Sequence, residues 1–179
     1  MRIIGMAVLV MTLAALAFAV EEVTATHGII TKIDRAARTV AVKTADGAEH
    51  VFHWTKGTAV HGVRASDVAA KDSWHGLKAG SEVVAHSTKR GTEDTAVEVD
   101  KVGDAGLTKT EGSIKEIDRG GKKLVIKSAD GAEQTFALTG HAAADGGKAV
   151  AAGTAKGTNV VVYSTKNAGK KIAHFFEKI

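Results

Sequence analysis

The sequence predicts an all-β protein made of two tandem five-stranded barrels of the oligonucleotide/oligosaccharide-binding (OB) type, each with a short helix between strands three and four, behind an N-terminal signal peptide. Three observations predict it. Residues 28–54 align with residues 112–138 without a gap and share 12 of 27 positions, among them Gly28/Gly112, Ile33/Ile117, Asp34/Asp118 and Phe52/Phe136. A second match follows at a shorter offset, where Ser87-Thr88-Lys89 returns as Ser164-Thr165-Lys166, so one small domain is present twice. Within each copy, short alternating segments run as three strands, a helix-like connection and two more strands, which is the order of an OB barrel. An SH3-like barrel is the alternative, because a single sequence does not give the order of strands in space.

The predicted division is a signal peptide over 1–19, a first barrel over 27–102, a linker over 103–110 and a second barrel over 111–179. Arg2, the uncharged run that follows it and Ala17-Phe18-Ala19 fit a secretory signal cleaved after Ala19. A membrane helix is the competing reading, since the uncharged run is just long enough to span. Cleavage leaves no stable membrane span and places the mature chain in the periplasm or outside the cell. The absence of cysteine excludes disulfides and a lipid-bearing cysteine after the signal.

In the first copy, residues 27–34 form the opening strand. Its isoleucines shared with the second copy, Ile30 and Ile33, are three apart, a spacing that fits a strand only with a bulge or strong coiling. Residues 35–38 turn the chain, and residues 39–44 give a period-two strand with Val40 and Val42 inward and Ala41 outward. Asp46-Gly47 is the dipeptide of a two-residue type I′ hairpin. It leads to a third strand over 49–54, with Phe52 and Trp54 on the core face and His53 opposite. A helix start follows at Ser66 or Asp67, while its counterpart over 145–152 is weakened by Gly146 and Gly147. Strands over 82–88 and 95–102 complete the first copy, and strands over 159–165 and 172–179 the second. Trp74 is placed to plug one end of its barrel. His174 stands where the first copy has Val97 and reads as inward. Phe175 aligns with Glu98 and reads as an outward aromatic that packs the barrels together or makes a homodimer.

The run Gly-x-Ile-x-x-Ile-Asp, then Thr-Val-x-Val-Lys-Thr-Ala-Asp-Gly, then Gly-Leu-Lys-x-Gly-x-x-Val-Val resembles a family of bacterial extracytoplasmic domains of unknown function that often occur in tandem. The resemblance implies a small β-barrel with no established reaction, and it carries no functional residues.

The charge excludes more than it identifies. Residues 27–102 carry 11 basic and 10 acidic side chains, and residues 103–179 carry 12 and 8. That excess is modest for a nucleic-acid binder, and the outward positions Val125, Thr135 and Ala137 offer no stacking platform, so no nucleic-acid partner is expected. Positive charge does collect in the second copy at Arg119, Lys122, Lys123, Lys127, Lys170 and Lys171, near the face where OB barrels hold their ligands. An envelope protein or an anionic glycan is the partner those residues fit. Histidine collects in the first copy, at His27, His50, His53, His61, His75 and His86. Imidazole suits zinc, copper or nickel, and His53 with His61 or His75 in the long connection is the candidate metal set. No cofactor is called for. No serine-hydrolase elbow, zinc-protease helix motif or phosphate-binding loop is present, so the chain reads as a non-enzymatic binding or scaffold module.

Overall fold

The computed structural model describes residues 23–68, 73–104, 106–118, 120, 122–140, 142 and 156–179. The signal segment, Arg119 and the second-copy helix over 145–152 lie outside them.

Strand β1 (Val23–Asp34) opens the first copy and pairs antiparallel with both β2 (Thr39–Lys43) and β4 (Glu82–Arg90). The register with β2 slips between Ile30 and Lys32, and this bulge lets Ile30 and Ile33 both face the core. Gly28 sits where β1 and β2 cross most tightly. A Cβ there would lie 2.4 Å from the Lys43 carbonyl oxygen, and the same atom at Gly112 would lie 2.7 Å from the Lys127 oxygen. The repeated glycine is therefore a steric requirement of the coiled strand pair.

The β2–β3 hairpin differs from the expected type I′ turn. Gly47 N–H donates to the Thr44 carbonyl and Thr44 N–H to the Ala48 carbonyl, and Gly47 alone in the loop has a left-handed φ, +88°. The loop is three residues long, a type I turn closed by glycine, with Asp46 Oδ1 accepting from Ala48 N–H at 3.2 Å. Asp-Gly suits both turns, and the side-chain bond from Asp46 favours the longer one.

Strand β3 (Glu49–His61) is much longer than residues 49–54. It pairs in parallel with β5 (Glu93–Lys101), breaks register between Trp54 and Ala59, and resumes as Ala59↔Glu98, Val60↔Val99 and His61↔Asp100. Thr55-Lys56-Gly57-Thr58 is a bulge, with Thr55 N–H donating to Thr58 Oγ1. One helical turn, α1 (Ala65–Val68), follows. Trp74 is buried and stacks on Trp54 with ring centroids 4.5 Å apart, which seals that end of the barrel.

The second copy repeats the plan with β6 (Thr108–Asp118), β7 (Lys123–Lys127), β8 (Glu133–Leu138), β9 (Asn159–Asn167) and β10 (Lys170–Lys178). Both sets close into barrels, in the order β1-β2-β3-β5-β4 and β6-β7-β8-β10-β9, which is the OB arrangement. Paired backbone starts at Val23 and at Thr108, and so takes in part of the expected lead-in and linker. One core holds Ile30, Val42, Phe52, Leu77 and Val99, the other Ile114, Ile126, Phe136, Val162 and Phe176. Ala41 and Val125, read as outward, are nonetheless buried; each lies on a short strand flanked on both sides, Val125 between Glu116 and Thr135.

The barrels meet through a third apolar cluster: Val84 and Val102 from the first copy, Leu107 from the linker, and Val161, Tyr163 and Phe175 from the second. Outward residues of β4 thus pack on outward residues of β9 and β10. Leu107 N–H donates to the Lys101 carbonyl and Gly103 N–H to the Leu107 carbonyl, so the linker is folded back on the first barrel.

Candidate functional site

Two places concentrate polar chemistry. The first is the junction. His27 of β1 lies with Nε2 2.7 Å from Glu82 Oε1 and Nδ1 2.9 Å from Glu177 Oε1 of the other barrel. Tyr163 donates to the same Glu177 oxygen at 2.6 Å, and Lys109 reaches Glu82 at 2.5 Å. Burial pulls the His27 pKa down, but the hydrogen bonds and charges of Glu177 and Glu82 outweigh it and hold the imidazolium above its ordinary value. Burial would likewise raise both carboxyls. Lys109 and His27 keep Glu82 low, and His27 and Tyr163 keep Glu177 low. Tyr163, buried against Glu177, has its pKa driven upward and stays neutral.

Across the same junction, Asp100 is the centre of a second network. It is 1% exposed. His61 Nδ1 stands 3.2 Å from its Oδ1 and 3.0 Å from Glu98 Oε1. Its Oδ2 faces His86 Nε2 at 3.6 Å and, from the second barrel, His174 Nδ1 at 3.7 Å. Burial acts to raise the Asp100 pKa, but the imidazoles of His86, His174 and His61 around it prevail and lower it.

The two networks are related by the duplication. At the shorter offset His86 corresponds to Tyr163 and Asp100 to Glu177. In each, a ring on β4 or β9 and a carboxyl on β5 or β10 meet an imidazole from the other barrel.

His174 is not inward. It occupies the slip in register between Ala173 and Phe175, and the extra residue of that bulge turns its ring out of the core toward Asp100 and Thr165. Phe175 is buried at the junction, packed on Tyr163.

The three histidines read as a metal set separate. His53 pairs with Thr95 and His61 with Asp100, at opposite ends of β5 and roughly 15 Å apart along the strand. His53 faces Glu93 at 3.7 Å, and His75 sits in the turn beside Trp74. Of the three, His61 alone joins a potential ligand cluster, with Glu98 and Asp100. Sequence reasoning missed Glu98, Asp100, His86 and His174 as a group. The signal was Ala59-Val60-His61, a second apolar alternation that extends β3 alongside β5.

The second place is an open groove of about 550 Å³ on the second barrel. Lys122, Lys123, Lys170 and Lys171 line it with Gln134, Thr135 and Phe136. It opens because β8 pairs with β10 over Phe136, Ala137 and Leu138 only, leaving the start of β8 uncovered on that side. Four of the six predicted cationic residues therefore converge. Lys127 lines a different hollow near Gly112 and Asn159. Lys123 pairs with Glu116 at 3.0 Å, and Lys171 donates to Gln134 above the Phe136 ring. Lys122 and Lys170 face no carboxylate within ion-pair distance among the described residues.

Fold and sites together define a tandem small β-barrel protein with a polar junction and a cationic groove. No protein-family model and no curated protein matches the chain. Solved structures of CusF are among those that resemble it. The Ag(I) form of CusF has 15% identity and a TM-score of 0.32, covering 44% of this chain and 95% of that one. The apo form from Escherichia coli has 14% identity and a TM-score of 0.34, covering 48% of this chain and 93% of that one.

Proposed function

We propose that the protein is a non-enzymatic binding module acting outside the cytoplasm, and that its second barrel holds an anionic oligosaccharide in the Lys122–Lys171 groove. One observation carries the reading. Where β8 meets β10, the second copy places Lys170 and Lys171; at the matching position of β5 the first copy has Glu93 and Asp94. Both copies close the same barrel with this strand, so closure does not dictate the charge. The inversion is selective, and it turns one of two equivalent faces toward anions. Gln134 and Thr135 add amide and hydroxyl groups suited to sugar hydroxyls. The groove lacks an exposed ring on which bases could stack, which disfavours a nucleic acid. The location outside the cytoplasm rests on the signal-like first 19 residues.

Retention on immobilised heparin, eluted with salt, tests this. The wild-type chain elutes late, and retention falls as salt releases counterions. The double variant Lys170→Glu, Lys171→Asp, which installs the first-copy residues, elutes near the void. Unchanged elution of that variant would refute the groove.

A further inference from the structure

Beyond the groove, we propose that the junction between the barrels is a site for one divalent transition-metal ion, zinc fitting best, ligated by His61, Glu98 and Asp100 of the first barrel and His174 of the second.

Asp100 Oδ2 is buried and has no hydrogen-bond partner. A buried carboxylate oxygen left so is costly, and its two imidazole neighbours, at 3.6 and 3.7 Å, stand too far away for hydrogen bonds. Those separations have another meaning. Four ligands about 2.0–2.1 Å from a tetrahedral ion lie about 3.3 Å from one another. His61 Nδ1 lies 3.0 Å from Glu98 Oε1 and 3.2 Å from Asp100 Oδ1, and His174 Nδ1 lies 3.7 Å from the other carboxylate oxygen, Oδ2. Donor atoms of His61, Glu98 and Asp100 all fall within 4.8 Å of one another. The first-barrel trio is spaced as ligands are, and His174 approaches it through the second oxygen of Asp100.

The second shell agrees. His174 Nε2 lies 3.0 Å from Thr165 Oγ1. Donation of the Nε2–H to that hydroxyl leaves the Nδ1 lone pair facing Asp100, which is how ligating imidazoles are held. His86, almost fully buried, faces the same Asp100 oxygen as His174, at 3.6 Å. A cavity of about 160 Å³ lies between the barrels, lined by His61, Asp100, Leu107, Thr165 and His174. It has room for an ion and a water. His61, 56% exposed, stands at its mouth and gives an entry path.

The donors decide the class of ion. Cysteine is absent, and all 3 methionines fall at positions 1, 6 and 11, so the barrels offer nitrogen and oxygen only. Imidazole with carboxylate suits zinc among common divalent ions, over soft monovalent copper or silver and over magnesium. The site exists once per chain, because the second copy carries Tyr163, Phe175 and Glu177 where the first has His86, Glu98 and Asp100. It is also incomplete without the second barrel, which supplies His174.

The test is calorimetric titration of zinc chloride into the EDTA-stripped chain at neutral pH, with magnesium in parallel. One zinc binds per chain and magnesium does not. His61→Ala and His174→Ala, both at solvent-reachable positions, each stay folded by circular dichroism and weaken zinc about ten-fold or more. The pair His53→Ala, His75→Ala binds as wild type. No zinc binding, equal affinity for magnesium, or wild-type affinity in either His61→Ala or His174→Ala would overturn the site. Heparin elution reads a different surface, so the two proposals fail separately.

Discussion

His27 is the histidine whose ionisation the junction holds most directly, and its effect on stability is calculable in sign. The group bridges Glu82 and Glu177, with the Tyr163 hydroxyl 3.1 Å from its Nδ1 and Lys109 paired to the same Glu82. Its pKa is raised above the ordinary value of 6.5, so protonated His27 stabilises the folded state fully below that value, and the contribution is lost as pH rises through the higher folded value. Glu82 and Glu177 are lowered from 4.5, so their contribution is present above that pH and is lost as pH falls through their depressed values. The junction is therefore tightest between the two, in mildly acid solution. His27 is partly solvated, and a screened ion pair of this kind contributes on the order of 1 kcal/mol. The assay is urea unfolding in EDTA at a series of pH values, comparing wild type with His27→Gln, since subtraction removes the titration of other histidines. The difference should be about 1 kcal/mol below pH 6.5 and should shrink as pH rises through the higher folded value. A difference that is flat, or that grows with pH, would refute the assignment of charge to His27.

The other predictions concern packing. Gly28→Ala should cost about 1–3 kcal/mol in urea unfolding, because its Cβ meets backbone that must shift, whereas Gly57→Ala, whose nearest new contact is 3.6 Å, should be close to neutral. Gly112→Ala should cost less than Gly28→Ala, in keeping with 2.7 against 2.4 Å at the nearest oxygen. Phe175→Ala should cost about 3 kcal/mol and should split thermal unfolding into two calorimetric transitions, since the ring is shared between barrels.

The duplication made the fold legible, because a turn or core position read once was checked by its counterpart. Phe52 and Phe136, Val42 and Ile126, and the bulge implied by Ile30 and Ile33 all stand where alternation placed them. The groove lysines were legible for the same reason: Lys122, Lys123, Lys170 and Lys171 fall at matched strand ends. The junction was not. Glu98, Asp100 and His174 look like ordinary outward or inward alternation until the bulges at Thr55–Thr58 and at His174 change the phase. A bulge leaves little trace in one sequence, since its cause is the coiling needed to close a barrel. His61 was noticed as a histidine and misplaced as a loop residue for that reason.

The junction joins like to like: outward faces of β4 and β5 against those of β9 and β10. A lone ancestral barrel with such a face would cap it with an identical copy about a two-fold axis, and in that arrangement every substitution occurs twice. Fusing the copies into one chain removes the constraint. Glu98 is a carboxylate where its counterpart is Phe175, and His86 an imidazole where its counterpart is Tyr163. Each half of the contact thus carries a different set of polar groups, with the Phe175 ring beside them on one side only, a division of labour that no symmetric pair of single barrels can encode.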